Sequence, residues 1–419
     1  MRTILQKREL RYVFTANLIS MLGSGMNSAA VTWFILQATH SEVALGTLVV
    51  LQTLPAMLML PFTGVIIDRE DRRHLVMALD AIRALMVVGV ATLAFVHRVH
   101  VWELYLMNML VSAGFWMFWP TITALIQELT PDSQFVHANT FLLAGVQGGW
   151  LIAGGLVGFV YNHIGLGGVL LIDFTTYVVS FSCYFALRKG KHKVAVREQL
   201  PAPGLAQESS WARYWQEMRE GINYLRGNRY VVLLGASWAM FIGAMSTQSV
   251  VTAPLSDRLL HAGAVGYGWL NAGWGVGAFL SALYAPLVIR RMEGRRTVAV
   301  SMALLAGSIF LVPFSRLLAL AVALYALMGS ARGVGGIAIS SSMMEQVPQR
   351  FMGRVQNAFY FAGTLLQVCL SMIVGAVAHR TGLALGFALI ASVYFVAFLT
   401  AAWPLETVPN LASGEAAGD

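Results

Sequence analysis

The sequence predicts an all-α polytopic membrane protein, with about twelve transmembrane helices arranged as two six-helix pseudo-repeats. Of its 419 residues, 57% are hydrophobic and only 11% are charged, whereas a soluble domain carries about 25% charged residues. The mean hydropathy is +0.67, and many apolar runs reach the ~20 residues that a helix needs to cross a bilayer. Such a chain lacks the polar surface that would let it face water on all sides.

The apolar runs fall into two groups, separated by one long polar segment. The first six predicted spans lie near residues 12–37, 44–67, 75–96, 101–126, 137–161 and 167–187. The second six lie near residues 230–255, 264–289, 297–314, 317–343, 354–378 and 383–403. The resulting divisions are a six-helix bundle over 1–187, a central loop over 188–229, a second bundle over 230–403 and a tail over 404–419.

The distribution of Lys and Arg predicts the orientation of the spans. With a cytoplasmic N-terminus, 22 of the 28 basic residues lie on the cytoplasmic side and 4 on the opposite side. Cytoplasmic loops carry such an excess, so both termini, the central loop and the tail are predicted to be cytoplasmic. The net charge of +8 is spread over many short loops, which favours membrane orientation over nucleic-acid binding.

Short motifs recur at the same place in the two halves. Glu128 and Glu345 each begin a Glu-x-x-Pro motif, and segments 139–145 and 357–363 share the pattern Asn-x-Phe-x-x-Ala-Gly. The offsets are 217 and 218 residues. Because each half holds an even number of predicted spans, the repeat is parallel, and among transporters this predicts a binding site near the membrane midplane between the halves.

The loop between spans two and three resembles the signature loop of the major facilitator superfamily. Residues 64–73 read Gly-Val-Ile-Ile-Asp-Arg-Glu-Asp-Arg-Arg, with Asp71 where the signature usually has a second Gly. This variant, the Asp-Ala-Ile-Arg segment 80–83, the loop 347–355 and Asp173-Phe in span six are similar to the drug-exporter branch that includes macrolide efflux proteins and enterobactin exporters. The resemblance covers nearly the whole chain and implies the major facilitator fold.

The resemblance implies a gating role for this loop. A short loop keeps its charges at the cytoplasmic boundary, where they can pair with one another and with helix ends of the opposite half. The family implies that such a network, through Asp68, Arg72 and Arg73, stabilises the outward-open state and breaks when the protein opens inward. Charges that only set topology are the alternative. The candidate gating residues are Gly64, Asp68, Arg69, Asp71, Arg72, Arg73, Asp80 and Arg83.

Span five contains a degraded copy of a motif found in exporters of the superfamily. Residues 154–159 read Gly-Gly-Leu-Val-Gly-Phe, where those exporters often have Gly-Pro-x-x-Gly-Gly. This motif and the branch resemblance imply outward transport. Close helix packing through small residues is the alternative explanation of these glycines.

Arg332 lies near the middle of span ten, among small residues. A charge in the bilayer core costs about 2.5–3.5 kcal/mol on insertion scales and is therefore a functional candidate. In the superfamily, spans one, four, seven and ten line the cavity. We expect Arg332 to face that cavity and to meet an anionic or carbonyl-rich group of the substrate, or an internal carboxylate; a buried structural pair is the alternative.

Three carboxylates are candidates for proton coupling. Asp173, near the outer end of span six, ranks first. Glu128 and Glu345 lie at matching inner ends of spans four and ten, where a structural role is the alternative because helix ends near water hold carboxylates at modest cost. Spans one, four and seven carry no carboxylate at their middle, which weakens the case for a cation-selective drug pump.

Aromatic and amide side chains on the predicted cavity helices are candidates for substrate contact. The aromatic residues predict a stacking wall, with helix packing or an interfacial belt as the alternative. Together with the arginine they suggest a large amphipathic substrate with polar groups. The predicted cavity residues are Arg332, Asn17, Asn27, Trp33, Trp116, Trp119, Trp238 and Gln248.

The sequence contains no motif that would indicate an enzyme. A phosphate loop ending in Gly-Lys-Ser/Thr, a His-Glu-x-x-His motif and a Gly-x-Ser-x-Gly elbow are all absent. Cys183 and Cys369 lie inside apolar runs and predict neither a disulfide nor a metal site. We therefore expect no enzyme activity, no cofactor and no metal, and uphill transport would draw on an ion gradient.

These observations and the resemblance together predict a secondary active transporter. We expect a proton-coupled exporter of amphipathic drugs, macrolide-like or multidrug, that works by alternating access. Export of an anionic siderophore and movement of lysophospholipid are alternatives, and a membrane sensor or scaffold is the alternative outside transport. The expected partners are a small amphipathic molecule, protons and the lipid bilayer. The protein is expected to be a monomer in a prokaryotic plasma membrane.

Overall fold

The computed structural model describes residues 8–130, 135–187, 219 and 223–403, and every regular element in these ranges is helical. The helices are named here in chain order. They are α1 (Arg8–Thr39), α2 (Glu42–Arg69), α3 (Arg72–Phe95), α4 (Val101–Leu129), α5 and α6 (together Phe135–Phe185), α7 (Arg229–Leu259), α8 (Gly263–Met292), α9 (Gly294–Phe314), α10 (Leu318–Gln346), α11 (Gln349–Thr381) and α12 (Leu383–Ala402).

Helices α5 and α6 are one continuous run that turns at Gly165, where φ is 65° and ψ is −171°. Glycine adopts this left-handed region without a steric penalty. Eleven helices in the described ranges are long and apolar enough to cross a membrane, and one of them, Gly148–Phe185, contains both α5 and α6. Division at Gly165 gives the twelve spans that the apolar runs predict. The predicted tail and most of the predicted central loop lie outside the described residues.

The connections between helices define two faces of the molecule. The far face holds the connections α1–α2, α3–α4, α5–α6, α7–α8, α9–α10 and α11–α12. The loop face holds the signature loop and the connections α4–α5, α8–α9 and α10–α11. Connections on the far face are tight: residues 40–41 join α1 to α2, and Gly382, with φ at 105°, joins α11 to α12.

Each half, α1–α6 or α7–α12, is a bundle with a buried interior. In the first half α1 and α3 pack on α5 and α6, and α2 packs on α4; in the second half α8 and α9 pack on α10, and α7 packs on α11. Large apolar side chains also cover the outside, such as Leu283 at 71% and Leu85 at 66% exposed. An apolar exterior of this kind is suited to lipid, as the composition predicts.

Two helix pairs join the halves, α5 with α8 and α2 with α11. We call them the α5–α8 seam and the α2–α11 seam. Helices α2 and α8 occupy the same place in their repeats, and so do α5 and α11. The two seams are therefore equivalent under the two-fold pseudo-symmetry of the parallel repeat.

Glycines bring the helix backbones together in both seams. In the α5–α8 seam, a Cβ atom at Gly158 would overlap the carbonyl oxygen of Ala264. In the α2–α11 seam, a Cβ atom at Gly375 would lie 2.8 Å from the carbonyl oxygen of Glu42. Gly158 and Gly375 are 217 residues apart, which is the offset of the repeated Glu-x-x-Pro motif. Close packing is thus what Gly158 of the span-five motif provides.

Candidate functional site

A cavity of about 460 Å³ lies between the two halves, within the size range of sites for small molecules. Helices α2, α5, α6, α8 and α11 contribute to its lining as well as the expected α1, α4, α7 and α10. Its aromatic residues are Phe115, Trp116, Trp150, Tyr177, Tyr267, Trp274 and Tyr325, and its amides are Asn27, Asn108, Asn271, Gln52, Gln248 and Gln367. Among the described lining residues, only Arg332 is charged.

Four of the predicted cavity residues lie elsewhere. Trp33 is buried and stacks on Tyr267, with ring centroids 5.8 Å apart. Trp119 packs against a buried core that lies within the first half. Trp238 packs against a second, larger core, which contains residues of both halves. Asn17 is buried on α1, and its amide atoms have no hydrogen-bond partner among the described residues. None of these four residues is in the cavity lining, although Trp33 contacts a residue that is.

The remaining predicted cavity residues, Asn27, Trp116, Gln248 and Arg332, line the cavity. Sequence reasoning missed the contributions of α2, α8 and α11. Gln52, whose Nε2 donates to Oδ1 of Asn108 at 3.0 Å, is one example. The signal that could have found these residues is an amide inside an otherwise apolar span.

Arg332 extends over the indole of Trp274, with 4.5 Å between the guanidinium carbon and the ring centroid. No carboxylate of a described residue lies within ion-pair distance of it. The glycines beside Arg332 do not make room for its side chain. Gly329 and Gly333 instead face Trp274 and Ser281 on α8, so they let α8 and α10 pack closely and hold the indole beside the arginine.

Asp173 on α6 is fully buried and adjoins the cavity through Asn27. Nδ2 of Asn27 donates a hydrogen bond of 2.6 Å to Oδ2 of Asp173. The hydroxyl of Thr176 lies 3.4 Å from the other carboxylate oxygen, but it donates its hydrogen bond of 2.7 Å to the backbone carbonyl oxygen of Asp173. Among the described residues, no cation is within ion-pair distance of this carboxylate.

A second buried acid, Asp80, forms an ion pair with Arg83. Nη2 of Arg83 donates to Oδ1 of Asp80 at 2.5 Å, and the hydroxyl of Ser180 donates to the other oxygen at 2.6 Å. The guanidinium also lies 4.7 Å from the ring centroids of Phe118 and Tyr177. Asp173 lies one turn of α6 before Tyr177, whose ring the guanidinium faces, so two buried carboxylates and one buried cation lie on neighbouring turns. We call these three residues the first-half charge cluster.

The signature loop makes its described contacts inside the first half. Asp71 caps α3, accepting hydrogen bonds from the backbone N–H groups of Arg73 and His74. Arg72 forms an ion pair of 2.6 Å with Glu128, and Arg73 donates to the carbonyl oxygens at the end of α6. Through these described contacts, the loop pairs with Glu128 and with the end of α6.

Three gating candidates and one acid are the remaining predicted site residues. Gly64, Asp68 and Arg69 belong to α2, and their side chains lie outside the described part of the structure. Glu345 is exposed near the end of α10 on the loop face. It is therefore separated from the cavity lining, whereas Asp173 adjoins it.

Polar contacts join the two halves on the far face. Glu42, which is fully buried, accepts from Nη1 of Arg258 at 2.5 Å and lies 3.1 Å from Nδ1 of His379. Nη2 of Arg258 also donates to the carbonyl oxygen of His40 at 2.7 Å. Sequence reasoning missed this cluster because its members come from three separate connections. We call Glu42, Arg258 and His379 the far-face ion cluster.

Two parallel six-helix repeats around a cavity at their interface define a membrane transporter with one central pathway. The sequence model of the Major Facilitator Superfamily matches residues 13–364. The chain belongs to this superfamily, as the signature loop predicted, and it is a multi-pass membrane transporter and not an enzyme.

Relatives in other bacteria are similar at low identity. The multidrug efflux pump Tap of Mycolicibacterium fortuitum is 23% identical over 90% of this chain and 92% of its own length. The macrolide efflux protein A of Streptococcus pyogenes is 22% identical over 55% of each chain. An uncharacterized MFS-type transporter of Bacillus subtilis, YkuC, is 22% identical over 84% of this chain and 82% of its own. These relatives support the predicted drug-exporter branch.

Solved structures share the fold. The nucleoside transporter NupG, as its D323A mutant, superposes with a TM-score of 0.73 at 13% identity, covering 94% of this chain and 99% of that one. A bacterial homologue of the human lysosomal transporter Spinster has a TM-score of 0.64 at 14% identity, covering 94% and 96%. At such identities the likeness extends to the fold alone.

Proposed function

We propose that this protein is a proton-coupled exporter of amphipathic small molecules, working by alternating access in a prokaryotic cell membrane. The efflux relatives support the direction of transport. The far-face ion cluster supports alternating access, because the halves are held together on one side of the cavity by contacts that can break. With the predicted orientation, the far face is extracellular, both termini are cytoplasmic, and the protein acts as a monomer.

The observation that carries the proposal is the position of Asp173. It is fully buried, and Asn27 links it to the cavity by a hydrogen bond of 2.6 Å. In the first-half charge cluster, two carboxylates accompany one guanidinium, so one negative charge at membrane depth is left over. A proton on Asp173 neutralises that charge, because Asp80 already has the direct ion pair with Arg83. Asn27 would then transmit the protonation state to the cavity.

The test compares Asp173→Asn with the wild type for transport of chloramphenicol, an uncharged amphipathic drug, in proteoliposomes under an imposed pH gradient. We expect the variant to lose uphill transport and to keep exchange of labelled for unlabelled substrate, because exchange needs no net proton movement. Glu345→Gln, which changes an exposed acid on the loop face, serves as the matched control and should retain both activities. Size-exclusion profiles verify that each variant is folded.

Two results would count against the proposal. Uphill transport by Asp173→Asn that remains sensitive to a protonophore would move proton coupling to another residue. Wild-type transport that proceeds unchanged without any pH gradient would remove proton coupling altogether and leave facilitated movement of the substrate.

A further inference from the structure

The charge of the cavity lining indicates which substrates it favours. Arg332 is the only charged side chain among the described lining residues, and the buried carboxylates Asp80 and Asp173 belong to the first-half charge cluster and not to the lining. A cleft with one sign of charge and apolar walls concentrates ions of the opposite sign. The cavity is therefore cationic.

The hydrogen-bond donors of the cavity lead to the same residue. Several lining amides donate to neighbouring protein atoms: Nδ2 of Asn27 to Asp173, Nε2 of Gln52 to Asn108, Nδ2 of Asn271 to the carbonyl oxygen of Tyr267, and Nε2 of Gln367 to Thr53. Arg332 donates no hydrogen bond to a described residue. A guanidinium has five N–H donors in a fork that matches carboxylate and phosphate. Arg332 thus brings a charged donor group without a described protein acceptor to the lining.

The neighbours of Arg332 orient it without neutralising it. The indole of Trp274 lies against the guanidinium at 4.5 Å, and the fully buried phenol of Tyr394 is its titratable neighbour. Ring stacking leaves the in-plane N–H groups free to bind an anion. Arg83 differs in that its Nη2 donates to a carboxylate and its Nε to the carbonyl oxygen of Leu79.

We propose that the cavity takes an amphipathic organic anion, whose acid group binds Arg332 and whose apolar part lies along the aromatic lining. This inference rests on the proposed function, because it names the class of compound that the exporter carries. A carboxylate or a phosphate meets the requirement, from a soluble metabolite or from the headgroup of a single-chain lipid. A cationic drug would be repelled by the positive charge of Arg332.

The first experiment needs no variant. Purified wild-type protein in nanodiscs is titrated with 1-naphthoate, 1-naphthamide and 1-naphthylmethylamine, which share a ring system and differ in charge. We expect 1-naphthoate to bind about tenfold or more tightly than the neutral amide, and the amine to bind most weakly. Equal affinities for the three probes would overturn the inference.

Variants then assign the preference to one residue. Arg332→Gln should lose the preference for 1-naphthoate while keeping its affinity for 1-naphthamide, and Arg332→Lys should keep part of the preference. Arg380→Gln removes an exposed arginine from the far face and should behave as the wild type. A preference that survives intact in folded Arg332→Gln would contradict the assignment.

Competition distinguishes the two sources of anion. Lysophosphatidylglycerol that displaces 1-naphthoate, where lysophosphatidylcholine does not, indicates a lipid headgroup. Failure of both lipids to displace bound 1-naphthoate indicates a soluble anion.

Failure of the proposed function can be distinguished from failure of the anion site. If Asp173→Asn keeps uphill transport while the anion preference stands, only proton coupling is lost. If chloramphenicol is exported but the three naphthalene probes bind alike, only the anion site is lost.

Discussion

The α5–α8 and α2–α11 seams occupy equivalent positions, yet different side chains close them. In both, a glycine places one backbone against the other. The α2–α11 seam adds the far-face ion cluster around Glu42, and deeper in it Nε2 of Gln367 donates to Thr53 at 2.6 Å. The α5–α8 seam adds an aromatic contact, between Phe159 and Trp269, with centroids 6.2 Å apart.

The difference shows what the repeat preserves and what it leaves free to vary. Both seams keep a glycine at the point of closest backbone contact, because two helices can come this close only where the side chain is very small. The charge is not kept, since Ala264 of α8 occupies the place that Glu42 has in α2. Substitution of the glycines should therefore affect both seams alike, whereas substitution of the charges should affect one. Three predictions test this separation.

The largest effect is expected from adding a methyl group at the glycines. Gly158→Ala and Gly375→Ala each place a Cβ against a carbonyl oxygen, and such overpacking costs about 1–3 kcal/mol. The cost falls on the state closed at the far face, so the closed-to-open ratio should fall by about tenfold. Gly155→Ala is the matched control, because its Cβ would make an ordinary contact of 3.7 Å with Ala272.

The measurement is electron-spin distance spectroscopy across the far face. Spin labels at Ala38→Cys and Arg380→Cys, both exposed positions, report on the two halves after the native cysteines are replaced by serine. We expect a longer distance to gain population in both glycine variants. A response in only one of them would show that the seams are not mechanically equivalent.

The second effect belongs to the α2–α11 seam alone. Glu42→Gln removes the partner of Arg258 and His379, and we expect it to weaken far-face closure by about 1–2 kcal/mol, between the values for exposed and for buried ion pairs. The same spin labels measure it. Glu103→Gln is the control, since Glu103 binds the backbone N–H of His100 within the first half. A wild-type distance distribution in Glu42→Gln would mean that the glycines alone close this seam.

The smallest effect is expected from His379→Gln. Its ring nitrogen lies 3.1 Å from Glu42, but the side chain is about half exposed and Arg258 keeps its ion pair in the variant. The loss should stay within about 1 kcal/mol, as for exposed pairs, and below that of Glu42→Gln. A larger shift than in Glu42→Gln would reverse the order of the two contacts and make the histidine the main element of the cluster.

Most of the fold follows from local sequence properties. Apolar length placed the twelve spans within a few residues of the helices, and even the bend at Gly165 coincides with the predicted break between spans five and six. Repeated motifs indicated the parallel repeat, because a motif is short and local. These signals do not depend on which helix lies next to which.

The site was only partly predictable, because it depends on which helices and helix faces meet. Asn27, Trp116 and Arg332 were found because a polar or large aromatic residue in a span is conspicuous on its own. Trp33 and Asn17 were assigned to the cavity although neither lines it, since sequence gives the helix but not its rotation. The pairing of Asp80 with Arg83 could be guessed from their spacing of three residues. The meeting of Glu42 and Arg258 could not, because they lie 216 positions apart.

The tight connections of the far face leave little protruding surface to which a binding protein could attach. Two residues join α1 to α2, and single glycines turn the chain at positions 165 and 382. Electron cryomicroscopy of a 45.5 kDa protein inside a detergent micelle depends on a rigid fiducial outside the micelle. Nanobodies selected against the far face would therefore find few protruding epitopes. A continuous helical fusion that extends α12 beyond Ala402 on the loop face would provide a more rigid fiducial.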